Sequence, residues 1–330
     1  MKILLIGGTG IISTAVSQRT IEQGYDLYML NRGNQVDNIP KNTTLFKADI
    51  NDEETVITQL EGHTFDVIVD FIAFTVEDIK RDIRLFKNKT KQYIFISTAS
   101  CYDINKREKP IKETLPLDNK VWGYSQNKIA CESYLSMIED PPFEITIVRP
   151  SHTYDSTSVP FQLTSWSAPF TVIKRILNDQ PIVIPNDGNN IWTLTYNDDF
   201  AHGFVDLYGN QDAYNQAVHI TSDYTYTWND LAKIVYKALN KTPNIIHIPL
   251  DKILTYFPDK KGPMQGDNTL NAHFDNTKIK ALAPHYVSKT PYEAIVLDAL
   301  QYYLNDPSNH AIDESFNKRY DNLIKDVLNK

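Results

Sequence analysis

Lys2-Ile3-Leu4-Leu5-Ile6-Gly7-Gly8-Thr9-Gly10-Ile11-Ile12-Ser13 opens the chain, and the later motifs make sense only in relation to this run. Residues 2–6 are short and apolar, the pattern of a strand buried on both faces, and Gly7, Gly8 and Gly10 follow at once. Glycine lets a strand turn sharply into a helix while leaving backbone N–H groups open to an anion. A helix is predicted over Thr14 to Gln23, with Gly24 as its stop. Strand, glycine turn and helix in this order read as the first βα unit of a dinucleotide-binding fold. Taken alone the run also fits an ordinary tight turn, so the weight falls on the motifs further along the chain.

At 330 residues the chain can bury a large core. The expected division is a dinucleotide-binding domain over 1–150 and a smaller substrate-binding region over 151–330, from which the chain re-enters the first sheet. Apolar residues at 42% and charged residues at 22% are ordinary for a globular protein. No apolar run approaches the roughly 20 residues that span a bilayer, and Met1 leads straight into a strand rather than a signal peptide. A cytoplasmic protein without a membrane partner is therefore expected. Cys101 and Cys131 are too few for a disulfide scaffold and lack metal-ligand spacing, so two thiols and no metal are expected. A net charge of −8 without a basic stripe argues against a nucleic-acid partner. A small-molecule substrate remains.

Further along, Asp26 to Leu30, Thr44 to Ala48, Phe65 to Asp70, Gln92 to Ile96 and Glu144 to Val148 read as strands. Glu53 to Leu60, Glu77 to Phe86 and Trp122 towards Met137 read as helices. This alternation implies an α/β fold with a Rossmann-type, doubly wound parallel sheet. Prolines and charges over Tyr102 to Val121 mark a loop. Beyond Pro150 the strands are shorter, with Ile182 to Ile184, Thr193 to Thr195 and Ala217 to Ile220 alternating with helices over Phe170 to Leu177, Trp228 to Leu239 and Tyr292 to Leu304.

The second strand ends in Asn31-Arg32-Gly33. Dinucleotide-binding folds use this position to read the adenosine ribose, a carboxylate suiting the free 2′-OH and an arginine suiting a 2′-phosphate. Asn31 stands where the acid is expected and Arg32 follows, so NADP is favoured, with NAD the alternative. Asp49, with Ile50 beside it, is placed to meet the adenine. Ile72 and Ala73 lie just past a strand's C-terminal end, the edge at which ligands sit in such sheets.

Tyr124 and Lys128 are four residues apart on a predicted helix and share a face. A phenol is a poor base at neutral pH, and an adjacent ammonium favours its phenolate. Thr98, after the strand ending at Ile96, can supply the hydroxyl that holds a substrate oxygen against the phenol. His152 is a candidate substrate contact or a structural histidine, and His202 reads as structural.

Gly7-Gly8-Thr9-Gly10-Ile11-Ile12-Ser13, Ser97-Thr98-Ala99-Ser100, Tyr124 with Lys128 and Glu132, and Arg149-Pro150-Ser151 together resemble the extended or atypical short-chain dehydrogenases/reductases of the NAD-dependent epimerase/dehydratase group. The resemblance is strong over the first half and looser beyond, through Asn197-Asp198-Asp199 and Asp275-Asn276-Thr277-Lys278. It implies that Tyr124 is the acid/base, that Lys128 lowers its pKa and holds the nicotinamide ribose, and that Thr98 steadies the reacting oxygen. It places the cofactor against Gly7, Gly8, Thr9, Gly10, Ile11, Ile12, Asn31, Arg32, Asp49, Ile50, Ile72, Ala73, Tyr124, Lys128, Pro150 and Ser151. The reaction would be epimerisation, dehydration or reduction at a hydroxyl- or carbonyl-bearing carbon of a sugar-like or small carbonyl substrate. A homodimer is expected by the same analogy. Ser13 replaces a third glycine, and Trp192 stands where nucleotide-sugar enzymes of the group carry a diphosphate-clamping arginine. The alternative is a non-catalytic dinucleotide-binding protein with a regulatory or RNA-associated role.

Overall fold

The computed structural model describes residues 1–107 and 110–329, so residues 108 and 109 of the expected 102–121 loop lie outside the described residues. The first half runs β1 (Lys2–Ile6), α1 (Ile11–Glu22), β2 (Asp26–Asn31), β3 (Thr44–Lys47), α2 (Glu53–Gln59), β4 (Phe65–Asp70), α3 (Val76–Phe86), β5 (Thr90–Ile96), α4 (Gly123–Ser136) and β6 (Glu144–Pro150). The second half contributes β7 (His152–Tyr154), α5 (Phe170–Leu177), β8 (Ile182–Pro185), β9 (Ile191–Tyr196), α6 (Asn197–Val205), β10 (Gln216–Ile220), β11 (Thr225–Thr227), α7 (Trp228–Ala238) and β12 (Ile245–Ile248). Helices over Tyr292–Leu304 and Glu314–Leu328 close the chain.

The central sheet has seven strands in the order β3-β2-β1-β4-β5-β6-β10, every pairing parallel. Such a sheet needs apolar side chains on both faces, and alternation divides them. Ile3, Leu5, Val67, Val69, Ile94 and Ile96 face Val16 of α1 and Phe200 and Phe204 of α6. Leu4, Ile6, Ile68, Tyr93 and Phe95 face Val56 of α2, Ile79 and Phe86 of α3, and Leu135 of α4. Each such fully buried aliphatic side chain contributes roughly 1.5–3 kcal/mol. The chain leaves this sheet after β6 and returns to it, α6 covering one face and β10 pairing with β6 as the edge strand.

The second half builds its own aromatic-rich core around Tyr154, Trp192, Trp228 and Tyr236, below the three-stranded sheet β11-β9-β7 and the pair β12-β8. No helix among the described residues is long and apolar enough to cross a membrane. Several boundaries differ from the pattern reading, those of α1 and β6 among them. Helix α1 begins at Ile11 rather than Thr14, because Gly10 is already extended and its N–H donates to Ser13 Oγ at 2.8 Å. Strand β6 continues through Arg149 and Pro150, since β10 offers His219 and Ile220 as partners.

Candidate active site

Two hollows open along the C-terminal edge of the sheet, on either side of the turn between β1 and α1, where α/β sheets bind ligands. Gly7 and Gly8 take φ of +97° and +92°, a backbone that side-chain-bearing residues rarely adopt. The first hollow, about 570 Å³, is lined by Gly7, Thr9, Asn31, Arg32, Asp49, Ile50 and Ile72. The second, about 590 Å³, is lined by Gly10, Ile11, Ile12, Thr98, Tyr124, Lys128, Pro150 and Ser151. Gly8 and Ala73 line neither. A Cβ on Gly8 would stand 2.6 Å from Met29 Cε, so its glycine serves close packing. Ala73 is fully buried and instead turns its carbonyl to Lys128.

At the end of β2, Asn31 lines the first hollow and also bonds within the chain. Asn31 Nδ2 donates to the Gly7 carbonyl (3.2 Å) and its Oδ1 accepts from Gly33 N–H (2.8 Å), so its amide braces the glycine turn. Arg32 is exposed on the rim of the hollow. Opposite it, Asp49 Oδ1 accepts from Asn51 N–H (2.9 Å), and Arg81 spans Asn51 Oδ1 (2.9 Å) and Asp78 Oδ1 (3.0 Å).

In the second hollow Thr98, at the end of β5, and Tyr124, in the first turn of α4, come together. Burial pushes the Tyr124 phenol up to about 12, and hydrogen bonding by Thr98 works against that rise. Its ring packs on Trp122, 5.0 Å between centroids, and on Phe74 at 6.3 Å. Thr98 Oγ1 is 3.0 Å from Ser100 Oγ, which is 2.7 Å from Ser125 Oγ, a hydroxyl relay leading away from the cavity. Lys128 is almost wholly buried, and its ammonium donates to the carbonyls of Ala73 (2.6 Å) and Ile96 (2.7 Å). Burial lowers it to about 8, and Asp70 opposes that fall. The Lys128 Nζ is 6.0 Å from the Tyr124 ring centroid. Beneath α4, Glu132 holds Arg149, Nε to Oε1 at 3.0 Å, and so ties the helix to β6.

The far wall of this hollow is aromatic. Trp192, nearly inaccessible on β9, donates from Nε1 to His152 Nδ1 (3.2 Å) and packs on Trp228 at 5.2 Å. As acceptor, Nδ1 carries no proton, so neutral His152 has its proton on Nε2. Burial holds the ring neutral, its pKa lowered to about 4. His202 bonds within α6 through Nδ1 to the Asp198 carbonyl (2.8 Å). Trp166 stands exposed at the mouth with Lys260 Nζ 4.0 Å from its ring centroid. Asp267, in a π-turn over Met264–Asn268, lines the roof and pairs with Arg107 (2.8 Å). Trp166, Asp267, Ser100 and Ser125 were not singled out from sequence. Ser100, the last residue of the 97–100 motif, and Ser125, next to Tyr124, both lay within motifs.

A model of the NAD dependent epimerase/dehydratase family matches residues 3–220. The chain belongs to this family. Among curated relatives, the chloroplast stem-loop binding protein of 41 kDa b from Arabidopsis thaliana is 25% identical over 74% of this chain and 65% of its own length. A UDP-glucose 4-epimerase of Lactobacillus helveticus is 26% identical over 41% of this chain and 46% of its own length. The chain thus spans less than two thirds of each. Solved structures agree on the fold. The UDP-glucose 4-epimerase of Thermotoga maritima, with UDP-glucose, superposes with a TM-score of 0.71 at 21% identity, covering 92% of this chain and 99% of that one. The UDP-glucuronic acid 4-epimerase of Bacillus cereus, with NAD, gives 0.71 at 17% identity, covering 94% and 100%.

Proposed function

We propose that this family member binds a nicotinamide dinucleotide across the two hollows and interconverts a hydroxyl-bearing and a carbonyl-bearing carbon of a sugar-like or small carbonyl substrate. The observation that carries this reading is the meeting of Thr98, Tyr124 and Lys128 in one cavity beside the start of α1. The residues fit the dinucleotide. The Gly7 and Gly8 backbone closes the turn tightly, and the first-turn N–H groups of α1, without intrahelical partners, suit a pyrophosphate. When bound, the nicotinamide supplies hydride exchange. The chain's residues supply the rest. Tyr124, a phenol at neutral pH, gives its proton to a substrate carbonyl oxygen or takes one back from the hydroxyl. Thr98 holds that oxygen, and the buried Lys128 presents positive charge below it.

NADP is the proposed preference, resting on Arg32 and on the absence of an acid at the end of β2. The substrate is proposed to lack a diphosphate. Trp192 and His152, both uncharged, fill the wall where the resemblance expects an arginine, and burying a diphosphate without a cation is costly. The two free, buried cysteines suit a reducing compartment, and the cytoplasm is the proposed location. The test is Tyr124→Phe assayed with NADPH and NADH against a panel of carbonyl compounds and sugars. Loss of the proton carrier should cut turnover by roughly 10²-fold or more while dinucleotide affinity holds. Turnover within a few-fold of wild type would remove the assignment.

A second reading, a non-catalytic or RNA-associated role, is favoured by the likeness to the chloroplast stem-loop binding protein. The net charge of −8 opposes it. Binding of an RNA stem-loop at physiological salt, with no turnover of any panel member, would select it.

A further inference from the structure

The end of β4 carries an arrangement that the proposed chemistry does not use. Asp70 is fully buried, and its Oδ1 accepts from the N–H groups of Ile72 (2.5 Å) and Ala73 (2.8 Å), folding residues 70–73 into a tight turn. That turn aims the Ala73 carbonyl at Lys128 Nζ, 2.6 Å away. The second carboxylate oxygen, Oδ2, is buried, with Arg81 Nη2 at 3.7 Å and the Asp82 carboxyl beside it. A carboxylate used only to cap a turn needs one oxygen. Burying the second is costly, and the buried cations nearby, Arg81 and Lys128, are a physical reason for it to be there.

We propose that Asp70 is the positioning residue for Lys128, seating the ammonium through the Ala73 carbonyl and facing it with a buried negative charge. The inference rests on the reading of Lys128 as part of the site, and it deepens that reading by saying what keeps a lysine charged in an apolar pocket. The surroundings leave few other sources of negative charge. Lys128 is boxed by the rings of Phe74 and Phe95, with centroids at 4.6 and 4.7 Å. Burial drives its proton off, and Asp70 is the largest influence holding it on. Cys131 on α4, Cys101 after β5 and Asp78 on α3 follow, and both thiols are themselves pushed up by burial and hold their protons. Asp70 in turn faces Arg81 and Asp82 of α3. Asp82 takes Arg81 Nη2 (2.9 Å) and the Tyr93 hydroxyl (2.6 Å), and burial beside Asp70 drives its carboxyl far up. The same Arg81 reaches the first hollow through Asn51 and Asp78, so the lysine's counter-charge is linked to the wall of the proposed adenosine site.

The test is a pH titration of the lysine side-chain nitrogens by ¹⁵N-detected NMR on the full chain, the Lys128 signal being assigned by its loss in Lys128→Met. Asp70→Asn and Asp70→Ser both retain an oxygen that can accept from the turn amides while removing the charge. Wild-type Lys128 is expected to titrate near 8. In both variants its midpoint should fall by roughly 1–3 pH units, a tenfold or greater loss of ammonium above the new midpoint, with the other lysines unmoved. An unchanged midpoint in a folded variant overturns the proposal, as does failure of both variants to fold, which would assign Asp70 to the fold alone. Failure of the underlying reading looks different. Lys128→Met would then leave turnover and dinucleotide affinity intact, even with the Asp70-dependent shift in place.

Discussion

Removing Arg32 should change which dinucleotide the protein prefers. The end of β2 bears no carboxylate: Asn31 stands there, its amide bonded to Gly7 and Gly33. On the proposed reading, the 2′-phosphate of NADP would meet Arg32 on the rim of the hollow. A charge-assisted contact of this kind is worth roughly 1.5–3 kcal/mol when shielded from water. Arg32 is exposed, and solvent screening reduces the figure to about 0.2–1 kcal/mol. That corresponds to NADPH binding roughly 1.5- to 5-fold more tightly than NADH. Arg32→Ala should bring the two together by weakening NADPH alone, and added salt should do the same to the wild type. Asn31→Asp is a poorer probe than its position suggests, since it replaces the donor to the Gly7 carbonyl with a charge facing that oxygen. Dissociation constants for both dinucleotides, from nicotinamide fluorescence at two ionic strengths, decide the matter. Equal affinities in the wild type, or equal weakening of both by Arg32→Ala, would show that this side chain does not read the 2′ position.

Calorimetric titration with UDP-glucose should show no micromolar binding to wild type, and micromolar binding would restore a diphosphate to the substrate. His152 has a folded pKa near 4 against an ordinary 6.5, so the unfolded chain takes up its proton first as pH falls. Its contribution therefore favours folding above pH 6.5 and is progressively lost between 6.5 and 4. In urea unfolding across that interval, His152→Asn should show a flatter pH dependence than wild type, and parallel curves would mean that the imidazole is not held neutral.

The fold was legible because its determinants are local and periodic. Strand β4 was read to the residue, Phe65–Asp70, because it is a buried run entered from the polar turn over residues 61–64 and closed by an acid. The helices Phe170–Leu177 and Tyr292–Leu304 were equally plain from their spacing. Helix α1 was not, since its start is set by Ser13 reaching back to Gly10, a hydrogen bond that the glycine pattern conceals. The pairing of β10 with β6 joins segments some seventy positions apart through backbone bonds. Re-entry of the chain was expected, but the strand that makes it carries no mark of its neighbour.

The site divides along the same line. Spacing put Tyr124 and Lys128 on one face of α4, and motif order put Thr98 near them, but neither tells where an ammonium will rest. Its partners are the carbonyls of Ala73 and Ile96, groups that every residue carries. A sequence cannot mark a carbonyl as chosen. It can mark the side chain that turns the carbonyl into place, and Asp70 is such a mark: a fully buried acid at the end of a strand, where a charge is costly unless something nearby needs it. Burial decides the rest: the ammonium rests on carbonyls from the turn after β4 and the end of β5, while the phenol is held by Thr98 and the surrounding rings, and both line one cavity.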